Sequence, residues 1–465
     1  MDNIFLVRDV FDLCTLCDVD VGMISLDQEK AFDRVDHNFL FSTLRAFGFG
    51  DSFLSLLRLL YRDAFCLVKV GGGLSSPVEV QRGIRQGCPL SGLLYTLAIE
   101  PFLHSLRSKL AGFAFPGRGR RRAIVASAYA DDVTVFVSSQ RDVSLLCDSL
   151  DLFQKASSAK VNWEKCTALR AGRWVVSPPP LLPGNLGWET EGLKVLGVFL
   201  GTEEFCKKNW EGVTERVCAR LSKWKHLLPQ LSFRGRTLVV NNLVASTLWH
   251  RLIVLPPPPG LILSIQKTIV DFFWSGHHWL KSAVLYLPVG DGGQGLIDIA
   301  SRVAAFRLRT AQRLLYGPRL PWVDTACVLL RRAGRCGYDK HLFLLQHQYL
   351  DLTGSSAFYK SVLQAWRLLV CSRGTASAPG LWLFEEPLLG SGLVSSQILS
   401  STTVRSKLKD VGCVKLGHLL RTSTADLAAL MGMHSHRLLD RLVEDLLLSL
   451  PVNHRTFVRD PKMAV

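Results

Sequence analysis

Two adjacent carboxylates, Asp131 and Asp132, sit between two apolar runs, and no other stretch limits the fold of this chain so tightly. Ala123-Ile124-Val125-Ala126-Ser127-Ala128 leads into Tyr129-Ala130, and Val133-Thr134-Val135-Phe136-Val137 follows the acids. Apolar, β-branched residues on both sides of so short a polar break predict a β-hairpin with the acids at its tip. Asp is a favoured turn residue, so the pair alone also suits a plain turn. Like charges side by side repel, and a cation relieves that repulsion. Mg²⁺, which takes carboxylates, waters and substrate phosphates, suits such a tip.

Two further segments agree. Gly22-Met23-Ile24-Ser25-Leu26 reads as a short strand ending in Asp27. A carboxylate at the carboxyl end of a strand is a usual place for a ligand site in an open sheet. Asp36 then caps a helix through Asn38 to Leu44 that ends near Gly48. Arg82 to Gly92 is a glycine-rich loop leading into an apolar helix from Leu93 to Leu110.

The three segments read LDQEKAFDRVDH, RQGCPLSGLLY and AYADDVTVF. In this order they resemble motifs A, B and C of a reverse transcriptase palm, closest to the LINE type of non-LTR retrotransposons. KVNWEKC (160–166), KVLGVFLG (194–201) and a Trp- and Arg-containing segment (210–256) extend the resemblance, which covers most of residues 2–316 and fades beyond. It implies an RNA-directed DNA polymerase working on an RNA template, a DNA primer and dNTP. Asp27, Asp131 and Asp132 would be its catalytic carboxylates, holding two Mg²⁺ ions, with Mn²⁺ as a substitute. In the family, an aromatic five positions after the first Asp lies under the sugar of the incoming nucleotide. That is Phe32 here, and a rigid ring leaves no room for a 2′-hydroxyl. Gln86 and Gly87 resemble the dNTP-contacting pair of motif B; glycine permits close backbone approach and the amide hydrogen-bonds sugar or phosphate. Many relatives carry proline where this chain has Gly92, which loosens the start of the following helix. Lys165 resembles the motif D lysine that delivers a proton to the leaving pyrophosphate, with Lys160 as its rival. Leu196-Gly197 resembles the motif E turn that grips the primer end.

The fold class implied is α+β. A polymerase palm, an antiparallel sheet with helices on one face, is followed by a helical thumb and a mostly α-helical C-terminal extension. Residues 1–201 are read as palm, 202–256 as a thumb-like helical region, and 261–465 as an extension of unknown role. Family members carry more chain before motif A, so the chain is expected to be amino-terminally truncated, with the fingers largely missing. A second reading is therefore kept: a catalytically inactive, nucleic-acid-binding remnant of such an element.

Composition agrees with a polyanionic partner. The formal net charge is +16 over 465 residues, although charge alone does not separate RNA, DNA and acidic lipid. Twelve cysteines are spread along the chain, and the lone C-x-x-C at Cys14 and Cys17 has no second pair at zinc spacing. That usage fits a reducing compartment. Met1 is followed by Asp2 and Asn3, so no signal peptide is expected. The most apolar long window, 238–255, holds Asn241, Asn242, His250 and Arg251, so a buried or amphipathic helix is expected rather than a membrane span. The expected location is intracellular, nuclear or cytoplasmic.

Ile4 to Cys14 is expected to be a helix feeding the first strand. Gly117 to Arg122 is a basic loop that suits phosphate contact as well as a solvated turn, and Ser177 to Pro180 is a surface excursion. Trp210, Val213, Val217, Leu221, Trp224 and Leu228 recur at helical steps, with Arg216, Arg220 and Lys223 on another face. Pro256 to Gly260 stops any helix and marks a boundary.

Overall fold

A computed structural model describes residues 1–115, 123–333, 356–370 and 393–459, with scattered positions between 340 and 391. The basic loop Gly117 to Arg122 lies outside the described residues. The chain divides into two compact units, Met1–Glu211 and Gly212–Val465.

The first unit opens with helix α1 (Asp2–Cys17), strand β1 (Val21–Leu26) and helices α2 (Ala31–Arg34), α3 (His37–Ala46) and α4 (Asp51–Tyr61). Four two-residue strands follow: β2 (Phe65–Cys66), β3 (Lys69–Val70), β4 (Gly73–Leu74) and β5 (Val78–Glu79). They form a narrow ribbon in which β2 pairs with β5 and β3 with β4. Helix α5 (Ser91–Lys109) leads to β6 (Ala126–Tyr129) and β7 (Asp132–Val137), then α6 (Gln140–Ser157), β8 (Thr167–Ala171) and β9 (Trp188–Glu189). A second hairpin, β10 (Gly192–Val195) and β11 (Val198–Gly201), and the short α7 (Glu203–Lys207) end the unit.

The main sheet has the order β6-β7-β1-β8-β9. Its pairs are antiparallel except the last, β8 with β9. Strand alternation decides its two faces. Ile24, Leu26, Val133, Val135, Val137 and Ala168 point to one side, where they pack on Leu94, Ala98 and Phe102 of α5 and on Val143, Leu146 and Leu150 of α6. Val21, Met23 and Phe136 point to the other side and are also fully buried. There α1 lies against β6 and β8, and the Asn3 side chain donates to the Ala128 carbonyl at 2.7 Å. The expected helices cover one face; α1 adds a cover over part of the second, and a cleft lies at its Ser25, Thr134 and Asp132 end.

Local signals explain the junctions. Asp36 caps α3 by accepting the Phe39 N–H at 2.9 Å. Asp142 is buried at the start of α6. It accepts N–H groups from Ala111, Gly112 and Ser138, joining the end of α5, the end of β7 and the start of α6 in one charge-assisted node.

The second unit is helical among the described residues. Its first helix, Val213–Lys225, buries Val213, Val217 and Leu221. Trp210 falls outside it, because Gly212 takes a left-handed conformation (φ 62°) and starts the helix afresh. The apolar window 238–255 is not one regular helix. It contains a π-helical turn at Val239–Val244, a 3-10 turn at Ala245–Leu248 and a short helix at Trp249–Val254. The widened turn carries Asn241, whose amide donates to the Gly295 carbonyl and accepts from the Ile297 N–H. No helix among the described residues is long and apolar enough to cross a membrane.

Candidate active site

The β6–β7 hairpin forms as expected. Tyr129 pairs with Asp132, so Ala130 and Asp131 are the two central residues of the turn. Ala130 adopts φ 52°, a positive value that two-residue hairpins demand. The tip faces the end of β1. Leu26 pairs with Val133, and the same antiparallel register carried one step further sets Asp27 across from Asp132.

Asp132 senses both of its acidic neighbours. Asp132 has its pKa raised, first by partial loss of surrounding water, then by the charges of Asp131 and Asp27. Much of its side chain remains exposed. Carboxylates are hard oxygen donors, and their mutual repulsion is what a divalent cation would relieve, so this donor set fits Mg²⁺. Among the described residues, no group of three or more His, Cys, Asp or Glu side chains is already gathered to hold a metal ion.

The folded chain holds the Asp132 proton more tightly than the unfolded chain, so its stabilising contribution is full at low pH and is lost as pH rises through the folded pKa. Asp132→Asn is expected to raise the metal-free Tm at pH 7 by about 1–2 °C, a small effect because the group is largely solvated. At pH 3 the rise should vanish. Thermal melts in chelator at the two pH values check this.

Around Phe32 the structure adds a residue that the sequence alone does not mark. Tyr95 of α5 is buried, and its ring stacks on Phe32 with centroids 4.3 Å apart and planes 24° apart. The Tyr95 hydroxyl donates to Gln28 Oε1 at 2.8 Å. Burial, and then the charge of Asp131, push the Tyr95 pKa up. Phe32, Tyr95, Gln28 and Asp131 are therefore neighbours, though they come from three separate segments. In the sequence Tyr95 is one more aromatic on an apolar helix, and no spacing marks it.

Gln86 is exposed, and its amide donates to Asp33 Oδ1 at 3.0 Å, next to Phe32 in the chain. Gly87 has φ 82°, and an added Cβ there would meet nothing within 4 Å. Gly83 is the crowded position of this loop: with φ 95°, its Cβ would fall 2.9 Å from the Asp33 carbonyl oxygen. Gly83→Ala is expected to cost at least about 2 kcal/mol, and Gly87→Ala about 1 kcal/mol; urea melts of the two variants measure the difference.

Of the two lysines, Lys160 pairs with Glu29 at 3.5 Å, and Glu29 is also held by Arg34 at 3.1 Å. Lys165 is exposed on the turn before Cys166. The β10–β11 hairpin turns through Leu196 and Gly197, with φ 48° and 79°, and Val195 pairs with Val198. Lys194 and Leu196 line a cleft with Asp132, Ser25, Thr134 and Asn3.

The chain is similar to several known proteins. Residues 15–200 match the family model described as reverse transcriptase (RNA-dependent DNA polymerase). Over 98% of its length the chain is 38% identical to the "Transposon TX1 uncharacterized 149 kDa protein" of Xenopus laevis, of which it covers 36%. Residues 15–200 thus carry a reverse transcriptase domain, and the relatives of the chain are proteins of non-LTR retrotransposons. It is also 31% identical to the "Retrovirus-related Pol polyprotein from type-2 retrotransposable element R2DM" of Drosophila melanogaster, over 73% of its own length and 32% of that relative. The chain thus spans about a third of the length of these two relatives. Among solved structures, a telomerase from Candida Tropicalis in complex with a TWJ fragment of telomeric RNA aligns over 68% of this chain and 51% of that one, with a TM-score of 0.34 and 14% identity.

Proposed function

We infer that this reverse transcriptase chain adds dNTP to the 3′-hydroxyl of a DNA primer on an RNA template. The observation that carries the reading is the sheet register that sets Asp27 across from Asp132, with Asp131 on the intervening turn. In the reaction the primer oxygen bonds to the α-phosphorus, and the bond to pyrophosphate breaks. Asp27 and Asp131 would hold two Mg²⁺ ions, or Mn²⁺ in their place, with Asp132 less directly bound. When bound, the ions lower the cost of ionising the primer hydroxyl and neutralise charge on the phosphates. Phe32, on its Tyr95 support, sets the position of the sugar. Gln86 and Gly87 bind the nucleotide from the motif B loop.

The ion pair of Lys160 with Glu29 supports Lys165 as the lysine that gives a proton to pyrophosphate. Leu196 and Gly197 would hold the primer end. In the region read as thumb, exposed Arg216 and Lys223 of the helix Val213–Lys225 suit phosphate contact without base reading. The reading places the chain inside the cell, in nucleus or cytoplasm.

Primer extension on an RNA template with Mg²⁺ and dNTP tests the proposal. Extension by the folded chain supports it. Binding of template–primer without any extension would leave the chain a non-catalytic nucleic-acid-binding remnant.

A further inference from the structure

The turn that follows β1 is gripped along its backbone by residues 160–166. Glu29 donates its N–H to the Lys160 carbonyl at 2.8 Å. Gln28 forms an antiparallel bridge with Val161. The Asp27 carbonyl accepts the Asn162 N–H at 2.9 Å. The remaining backbone group of Asp27, its N–H, donates to Cys166 Sγ at 3.3 Å. The Cys166 thiol in turn donates to the Asn162 carbonyl at 3.2 Å.

The ladder explains why a side chain is needed there. β1 and β8 pair from Val21↔Ala171 to Ser25↔Thr167. Cys166 is therefore the residue immediately before β8, just beyond the last pair of the ladder. The N–H of Asp27 has lost its carbonyl partner from the ladder, and an orphaned buried donor is costly. Cys166 is 4% exposed, so water does not replace it. A thiol both accepts and donates, so one group serves the Asp27 N–H and the Asn162 carbonyl together.

We propose that Cys166 is the positioning residue of Asp27: its thiol takes the place of the missing strand carbonyl and fixes the direction in which the Asp27 carboxylate leaves the backbone. This rests on reading Asp27 as a metal-holding carboxylate. Constellations of this kind lose function when a ligand moves by a fraction of an ångström, so a hydrogen bond on the ligand's own backbone has leverage on metal binding. The thiol itself touches neither substrate nor metal.

The test uses the full chain and four variants. Cys166→Val fills the volume without the hydrogen bond, Cys166→Ala removes both, Cys166→Ser restores a donor and acceptor, and Asp27→Asn is the reference. Three readouts are taken: hydrogen exchange at the Asp27 amide in metal-free protein, Mn²⁺ affinity by electron paramagnetic resonance, and primer extension against Mg²⁺ concentration. Cys166→Val and Cys166→Ala should each speed exchange at Asp27 about fivefold. They should weaken Mn²⁺ binding by roughly threefold to tenfold, and raise the Mg²⁺ needed for half-maximal extension to match. Cys166→Ser should recover most of the loss in all three.

Wild-type exchange and Mn²⁺ affinity in folded Cys166→Val would overturn the proposal, and so would equal impairment of the Val and Ser variants. Should Cys166→Ala fail to fold, the comparison of Val with Ser decides alone. Equal Mn²⁺ affinity of wild type and Asp27→Asn would instead refute the metal-holding reading of Asp27, while the exchange rate at its amide still judges the role of Cys166.

Discussion

Asp131→Asn should reduce single-turnover dNTP incorporation at least about 1,000-fold, equivalent to about 4 kcal/mol of transition-state stabilisation. Asn keeps the size of Asp and the turn preference of the hairpin, so β6 and β7 should still pair. What is lost is one formal charge at the point where the hairpin tip meets the end of β1. The charge of Asp131 already registers on two neighbours, raising the pKa of both Asp132 and Tyr95. Removing it should therefore lower the Asp132 pKa, and the metal-free fold should be no less stable at neutral pH. That pairing of intact stability with lost turnover is the informative result, because a packing defect would lower both. Incorporation within about tenfold of wild type in a folded preparation would remove Asp131 from the metal-holding set.

The hairpin and its acids were legible because strand alternation is local: Val133, Val135 and Val137 announce a buried face without knowledge of what covers it. The Asp36 cap was legible for the same reason, since its partner Phe39 is three residues away. What escaped reading depends on distant partners. Tyr95 supports Phe32 from 63 positions further along the chain, and nothing in an apolar helix marks which aromatic will do so. Cys166 reaches Asp27 only because it sits just before β8 begins, beyond the last pair of the β1–β8 ladder. The run 238–255 has the composition of one helix, yet Asn241 reaches Gly295 and Ile297 from a π turn. The second cover of the sheet, α1, was expected as a helix, but its side of the sheet is decided by where Met23 and Phe136 point, which requires the strand register.

Phe32→Val should lower the preference for dNTP over rNTP by roughly 10- to 100-fold in kcat/KM, the range in which apolar pockets discriminate by shape. The ring is half-buried, with Tyr95 stacked against it and its backbone carbonyl fixed by the Ile84 N–H at 2.7 Å. A ring pinned in this way cannot swing aside for an added 2′-hydroxyl, whereas a flexible side chain of equal volume would. Val keeps an apolar wall but ends well short of the ring, opening space for one oxygen. Most of the change should come from faster rNTP use, since dNTP never needed that space. Loss of dNTP incorporation with no gain for rNTP would mean that Phe32 only packs against α5. An unchanged ratio in an active variant would put the discrimination elsewhere, and the stack on Tyr95 would then be part of the hydrophobic core rather than a wall of the nucleotide site.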